Sequence, residues 1–361
     1  MRFEVNSQAF SEAARRVAQH VSGHQPLAAL GGMHLVAGTD SVVVRGSDLD
    51  VEVAVETPAS VDEPGEAVIP AKVGRWLQMV AGEGKIKVAY DGEGMVALKA
   101  PEGEAALRTV PTKPPAMEKA EGSGYPVEAA RLAAGLRRVR HAVSGGGGPM
   151  GGVLAEVAKD GLTLTATDSY RLARVHLGGK RGEADAVMPR RFCDVVEGAR
   201  DVTDARIWLD RDGPLEFRGT DWFGTIGVVT RPVSGQYPNL ENVLAGIPDG
   251  GVWLGTQELK EALGRLAPFA AEAWVGAEFE PEELRLVADS HQIGRSAVRI
   301  PYVEGPIRGL GGFAVDHRLL LDAVDGCGGE KLRLFHDGGP IWLADETGEG
   351  WFLVMPLRKA S

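Results

Sequence analysis

The sequence predicts an α+β protein of three similar domains, each with two helices packed on antiparallel sheets. Three observations carry this. Each third of the 361-residue chain repeats one order: helix, strand pair, second helix, second strand pair. Asp48, Asp168 and Asp289 fall at the matching turn, 120 and 121 residues apart. Stretches rich in Pro and Gly, near 112–124 and 245–251, separate the copies.

The elements follow in order. The first helix of each copy is expected over 7–21, 126–143 and 256–269. Apolar residues recur there at helical spacing: Phe10, Ala14, Val17 and Val21; Leu132, Leu136, Val139 and Val143; Leu259, Leu263 and Leu266. Next come MHLVAGTDSVVVRGSDLDVEVAVE, VLAEVAKDGLTLTATDSYRLARVHL and AEFEPEELRLVADSHQIGRSAVRIPY, whose alternation and Asp/Gly turns suit antiparallel hairpins. Second helices are expected over 70–81, 189–200 and 315–325, each followed by closing strands. The domains then span 1–118, 119–246 and 247–361, and the helix-plus-strands half repeats once inside each.

Composition narrows the class. Apolar residues make up 44% of the chain, enough for sizeable cores, and no apolar run reaches membrane-spanning length. The start, MRFEVNSQAF, lacks the pattern of a secretory signal. Two cysteines, Cys193 and Cys327, make neither a disulfide framework nor a zinc site. The expectation is a reduced, cytoplasmic protein with no membrane partner.

Motifs of catalysis fail on context. Residues 146–151 (GGGPMG) match G-x-G-x-x-G, but a helix precedes and a strand follows, the reverse of a dinucleotide fingerprint. No Walker-type phosphate loop is present, so any ATP would belong to a separate protein. Asp168 with Tyr170, Arg171 and His176 could be imagined as a catalytic cluster, but Asp48 and Asp289 hold the same turn, which favours a structural role. The histidines show no dense metal spacing, and Ser144 and Ser234 lack the G-x-S-x-G elbow. Trp222–Phe223 and Trp351–Phe352 are read as sheet packing, with apolar outer patches as the alternative. No catalytic residue, metal or cofactor is expected.

Three segments carry a family resemblance: ATDSYRLA (166–173), QYPNLENVL (236–244) and FLVMPLR (352–358). In this order, and in register with the threefold repeat, they resemble the bacterial DNA polymerase III beta subunit, the β sliding clamp, across nearly the whole chain. The resemblance implies the DNA-clamp fold, assembled as a head-to-tail homodimeric ring around duplex DNA, with helices lining the hole. It implies a seam near Leu107 and Phe269. It also implies an ATP-dependent clamp loader, the replicative polymerase alpha subunit, and other polymerases and repair proteins carrying clamp-binding peptides as partners, at the nucleoid.

Charge fits that expectation. The net charge is −11, yet the six expected helices carry +1, +2, +3, +1, 0 and −2 in chain order, leaving −16 elsewhere. A mildly basic lining would meet phosphates without reading bases, as sliding requires. The candidates are Lys72, Arg75, Arg131, Arg137, Arg138, Arg190 and Arg191. The third domain's helices are neutral to acidic. That feature supports a second reading, a clamp-like peptide-binding scaffold or a specialised second clamp copy not loaded at the main replication fork.

Carried over motif by motif, the resemblance also implies a peptide-binding groove between domains two and three. One wall holds Met150, Thr167, Ser169, Tyr170, Arg171 and Leu172. The other holds Pro238, Val243, Leu353, Met355, Pro356, Leu357 and Arg358. Met and Leu give an adaptable apolar surface, Pro fixes backbone shape, and Arg can cap a polar end of a ligand, with plain core packing the alternative for Leu172 and Leu353. Met150 and Ser169 depart from residues common in the family, which bears on ligand preference.

Overall fold

The computed structural model describes residues 1–21, 28–179, 182–270, 274–307 and 309–357. Its helices are α1 (Ser7–His20), α2 (Val73–Val80), α3 (Ala129–Val139), α4 (Arg190–Gly198), α5 (Glu241–Leu244), α6 (Thr256–Leu266) and α7 (His317–Gly326). Six match the expected repeat. The seventh, α5, is a single turn inside the QYPNLENVL segment (236–244). Of the expected first helices, α3 starts late because Tyr125–Pro126 pairs as a strand with Arg206 and Ile207. α6 stops before Pro268, whose ring cannot continue a helix.

The chain divides into two compact units, one of residues 1–133 and 184–232, the other of 134–183 and 233–361. In the first unit, antiparallel strands run 103–108, 95–100, 85–90, 2–6, 51–63, 224–230, 215–221, 203–208 and 125–126, with 32–37, 41–47 and 65–70 branching from them. Asn6 caps α1 by accepting from the Ala9 N–H at 3.0 Å, which starts the helix where the strand ends. The α1 stripe of Phe10, Ala14 and Val17 is then buried, and Phe3 meets Phe10 edge-on at 6.0 Å. Leu77 of α2 and Phe192 of α4 are buried likewise.

In the second unit the strands run 152–158, 161–167, 171–178, 350–354, 341–345, 331–335 and 252–255. A separate sheet orders 294–301, 283–290, 274–279 and 313–316. Leu259, Leu263 and Leu266 of α6 and Leu320 and Val324 of α7 fill the core. Residues 146–151 lead through a 3-10 turn at Pro149–Gly151 into strand 152–158, so no helix opens after the glycines.

The repeated Asp turn is real twice. The Asp48 carboxylate accepts from the N–H groups of Asp50 and Val51, and Asp168 from those of Tyr170 and Arg171. The residue after each takes a left-handed conformation, Leu49 at φ 80° and Ser169 at φ 77°. Asp289 differs: it lies within a strand, opposite Arg295. Trp222 also departs from expectation. It sits at the turn after strand 215–221, 92% exposed, and is not packed on a sheet.

Candidate functional site

Two antiparallel strands bring together the candidates Leu172 and Leu353. In the second unit, 171–178 pairs with 350–354 so that Leu172 lies opposite Leu353. Alternation sends both side chains to one face, where they bury with Trp342. Leu240, Ile247, Phe335 and Trp351 pack around them, and Trp342 meets Trp351 edge-on at 6.3 Å. The segment after strand 350–354 stays anchored: Met355 N–H donates to Tyr170 C=O at 2.8 Å, and Leu357 N–H to Ala314 C=O at 2.7 Å. Tyr170, Val243, Met355 and Leu357 remain exposed beside this buried floor. Large apolar side chains left in solvent next to an apolar cluster form a surface that a ligand can cover.

The Asp168 turn fixes one wall. Thr167 Oγ1 donates to Arg171 C=O at 2.7 Å and accepts from Ser169 N–H at 3.3 Å. Ser169 Oγ lies 3.7 Å from Met150 Sδ. Pro238 is exposed and Pro356 half-buried. Tyr237, next to Pro238, directs its hydroxyl to Thr165 C=O at 3.4 Å, and burial raises its pKa, so the phenol stays neutral.

Arg171 faces the other way. Alternation turns it from the Leu172 face, and its guanidinium is held by Asp168 (3.0 Å) and by Asp322 of α7. Nearby His141 has its pKa lowered to about 4 by burial and by the Arg171 charge. His141 and Arg138 both pack against Phe352, at 6.2 and 5.7 Å. Arg358 lies outside the described residues.

The basic candidates separate into two groups. Lys72, Arg75, Arg131, Arg137 and Arg190 are solvent-exposed. Arg191 is exposed but pairs with Asp48 at 3.1 Å. Arg138 is turned inward, donating to Gly326 C=O at 2.6 Å and paired with the buried Asp345 carboxylate. Of the seam candidates, Leu107 is half-buried on strand 103–108 and Phe269 half-buried just beyond α6. Among the described residues no group of three or more His, Cys, Asp or Glu side chains could hold a metal, and no helix is long and apolar enough to cross a membrane.

Sequence reasoning missed Trp342, Phe335, Leu240 and Ile247, which complete the floor. Alternation in IWLAD (341–345) marks a strand, but only the pairing shows which face reaches Leu172. Strand 294–301 is expected as part of a hairpin, but not its place at the edge of its sheet.

Known proteins share this fold. Residues 1–102 match the family model of the DNA polymerase III beta subunit, N-terminal domain. The beta sliding clamp of Pseudomonas putida is 28% identical over 381 residues, covering 99% of this chain and all of that protein. The solved DNA polymerase III subunit beta of Pseudomonas aeruginosa superposes with a TM-score of 0.87 at 22% identity, over 99% of this chain and 100% of that one. The DNA polymerase sliding clamp of Bacillus subtilis gives 0.88 at 20%, over 99% of each. Over nearly its whole length the chain is thus similar to β sliding clamps, and its first 102 residues match the DNA polymerase III beta subunit family model.

Proposed function

We propose that this protein is a DNA sliding clamp that encircles duplex DNA as a head-to-tail homodimeric ring. It confers processivity on the replicative polymerase and recruits clients through the Leu172/Leu353 groove. The observation that carries the reading is likeness to β sliding clamps over 99% of the chain, with exposed Tyr170, Val243, Met355 and Leu357 beside a buried apolar floor where client peptides would dock.

We divide the chain into domains 1–118, 119–246 and 247–361, and repetition then supports the ring. Strand 51–63 pairs with 224–230, and 171–178 pairs with 350–354. Each joins the third hairpin strand of one domain to the last strand of the next. The corresponding strands left over, 294–301 and 103–108, both end their sheets. Pairing them between two copies repeats the same joint and closes the ring, with Leu107 at the seam and Phe269 from the facing domain. Unpaired edges invite such pairing.

Lys72, Arg75, Arg131, Arg137 and Arg190 supply the phosphate contacts, with a share from Arg191 once it leaves Asp48. Such contacts hold DNA without reading sequence. An ATP-dependent loader opens the ring, and the protein works at the nucleoid in the cytoplasm. A processivity assay tests this. With cognate polymerase, loader and ATP on a primed circle, the protein should lengthen products per binding event at least tenfold. Unchanged product length, with client peptide still bound, would favour the scaffold reading, which the neutral-to-acidic helices α6 and α7 support.

A further inference from the structure

Beside the groove, on the same sheet face, lies a row of indoles and guanidiniums that begins at Trp351, which also packs against the groove floor. Arg174 and Trp351 are direct partners on neighbouring strands, each two residues from Leu172 and Leu353. That places them about 7 Å along the strands on the same face. The row continues through Ala344 to Arg333 and Trp253. Because Ala344 is small, Arg333 lies against both indoles, 5.9 Å from the Trp253 ring and 5.2 Å from Trp351.

The charges in this row are lightly covered. Arg333 donates to the carbonyls of Asp249 (2.9 Å) and Pro248 (3.4 Å), which are neutral acceptors and leave its charge uncancelled. Arg174 meets Glu156 at 3.3 Å and Thr165 Oγ1 at 3.1 Å. Both members of that ion pair are partly in solvent, so it is weak and easily exchanged for another carboxylate. Guanidiniums mounted on indoles are pre-organised, so little rotamer entropy is lost when they take a ligand.

We propose that this row extends the groove and selects extended peptides that carry an acidic side chain two to four residues from their apolar anchors. Arg174 is the specificity-determining residue, and Arg333 on its two tryptophans reinforces the field. The proposal rests on the groove reading given above. An extended chain spans two residues in about 7 Å, so an anchor over Leu172 and Leu353 brings its neighbour over Arg174 and Trp351.

The test uses fluorescein-labelled ten-residue peptides with two leucines and a phenylalanine as anchors. Flanks of aspartate, asparagine or lysine are placed at either end, and the full chain is titrated by anisotropy. The aspartate peptide of one orientation should bind about three- to fivefold tighter than its asparagine twin, and the gain should vanish at high salt. Arg174→Gln should erase the gain while leaving the asparagine peptide's affinity unchanged, and Arg174→Glu should transfer the preference to lysine. Equal binding of all three flanks to the unaltered protein would overturn the proposal and leave the groove standing. Failure of every peptide to bind would remove the groove and this extension together. Binding of unanchored oligothymidylate, lost in Arg174→Gln, would overturn it in favour of a single-stranded nucleic acid on this row.

Discussion

Leu172 and Leu353 oppose each other across neighbouring antiparallel strands, 3% and 5% exposed, on the face that also buries Trp342. Two and four residues farther along, Met355 is 43% exposed and Leu357 45%. The first pair therefore builds the floor, and the second pair is left open to solvent.

Stability and binding should split along that line. Leu353→Ala should cost about 2–4 kcal/mol by emptying a packed site. Met355→Ala and Leu357→Ala together should shift stability by less than about 1 kcal/mol. The same double variant should weaken an anchored peptide more than tenfold, measured by anisotropy beside urea unfolding. Unchanged affinity would show that the ligand docks elsewhere.

The arginines of α3 should divide in the same way. Arg138→Ala leaves Asp345 buried without its partner and should cost about 3–5 kcal/mol of stability. Arg131→Ala and Arg137→Ala should leave stability nearly intact. Each should instead lower the salt slope of duplex binding by about one. Parallel log–log plots for all three variants against the unaltered protein would contradict this division.

His141 sets an acid limit. Its pKa in the fold is about 4, below the ordinary 6.5. The unfolded chain therefore takes up its proton first, and stability present above pH 6.5 drains away as pH falls towards 4. Between pH 7.5 and 5.0 this residue should remove about 2 kcal/mol. Urea midpoints across that range should fall less steeply in His141→Gln, and identical slopes would exclude the assignment.

Gly224 probes the pairing of strands 51–63 and 224–230. Its φ is 144°, and an added Cβ would lie 2.0 Å from the Glu56 carbonyl oxygen. Gly224→Ala should destabilise the first unit by about 2 kcal/mol or more, because the obstacle is backbone. Thermal melting checks this.

Much of this was legible because helical spacing and turn chemistry are local. The stripes of α1 and α6 and the Asp48 and Asp168 turns could be read off consecutive residues. The failures share one cause, information held across strands. Arg171 looked like a ligand cap until pairing placed it on the α7 face with Asp322. Arg138 looked exposed because Asp345 lies 207 residues away in sequence. Trp222 looked like a strand residue because a turn at Asp221–Gly224 reads much like its flanking alternation. Asp289 kept the spacing of the repeat without keeping its hydrogen bonds.

The most direct measurement is retention on circular against linearised DNA after loading with a clamp loader and ATP, at low and high salt. The ring account predicts retention on circles at both salts and loss from linear ends, because topology and not affinity holds the protein. Equal loss from both, by a protein that is dimeric and binds peptide, would contradict it.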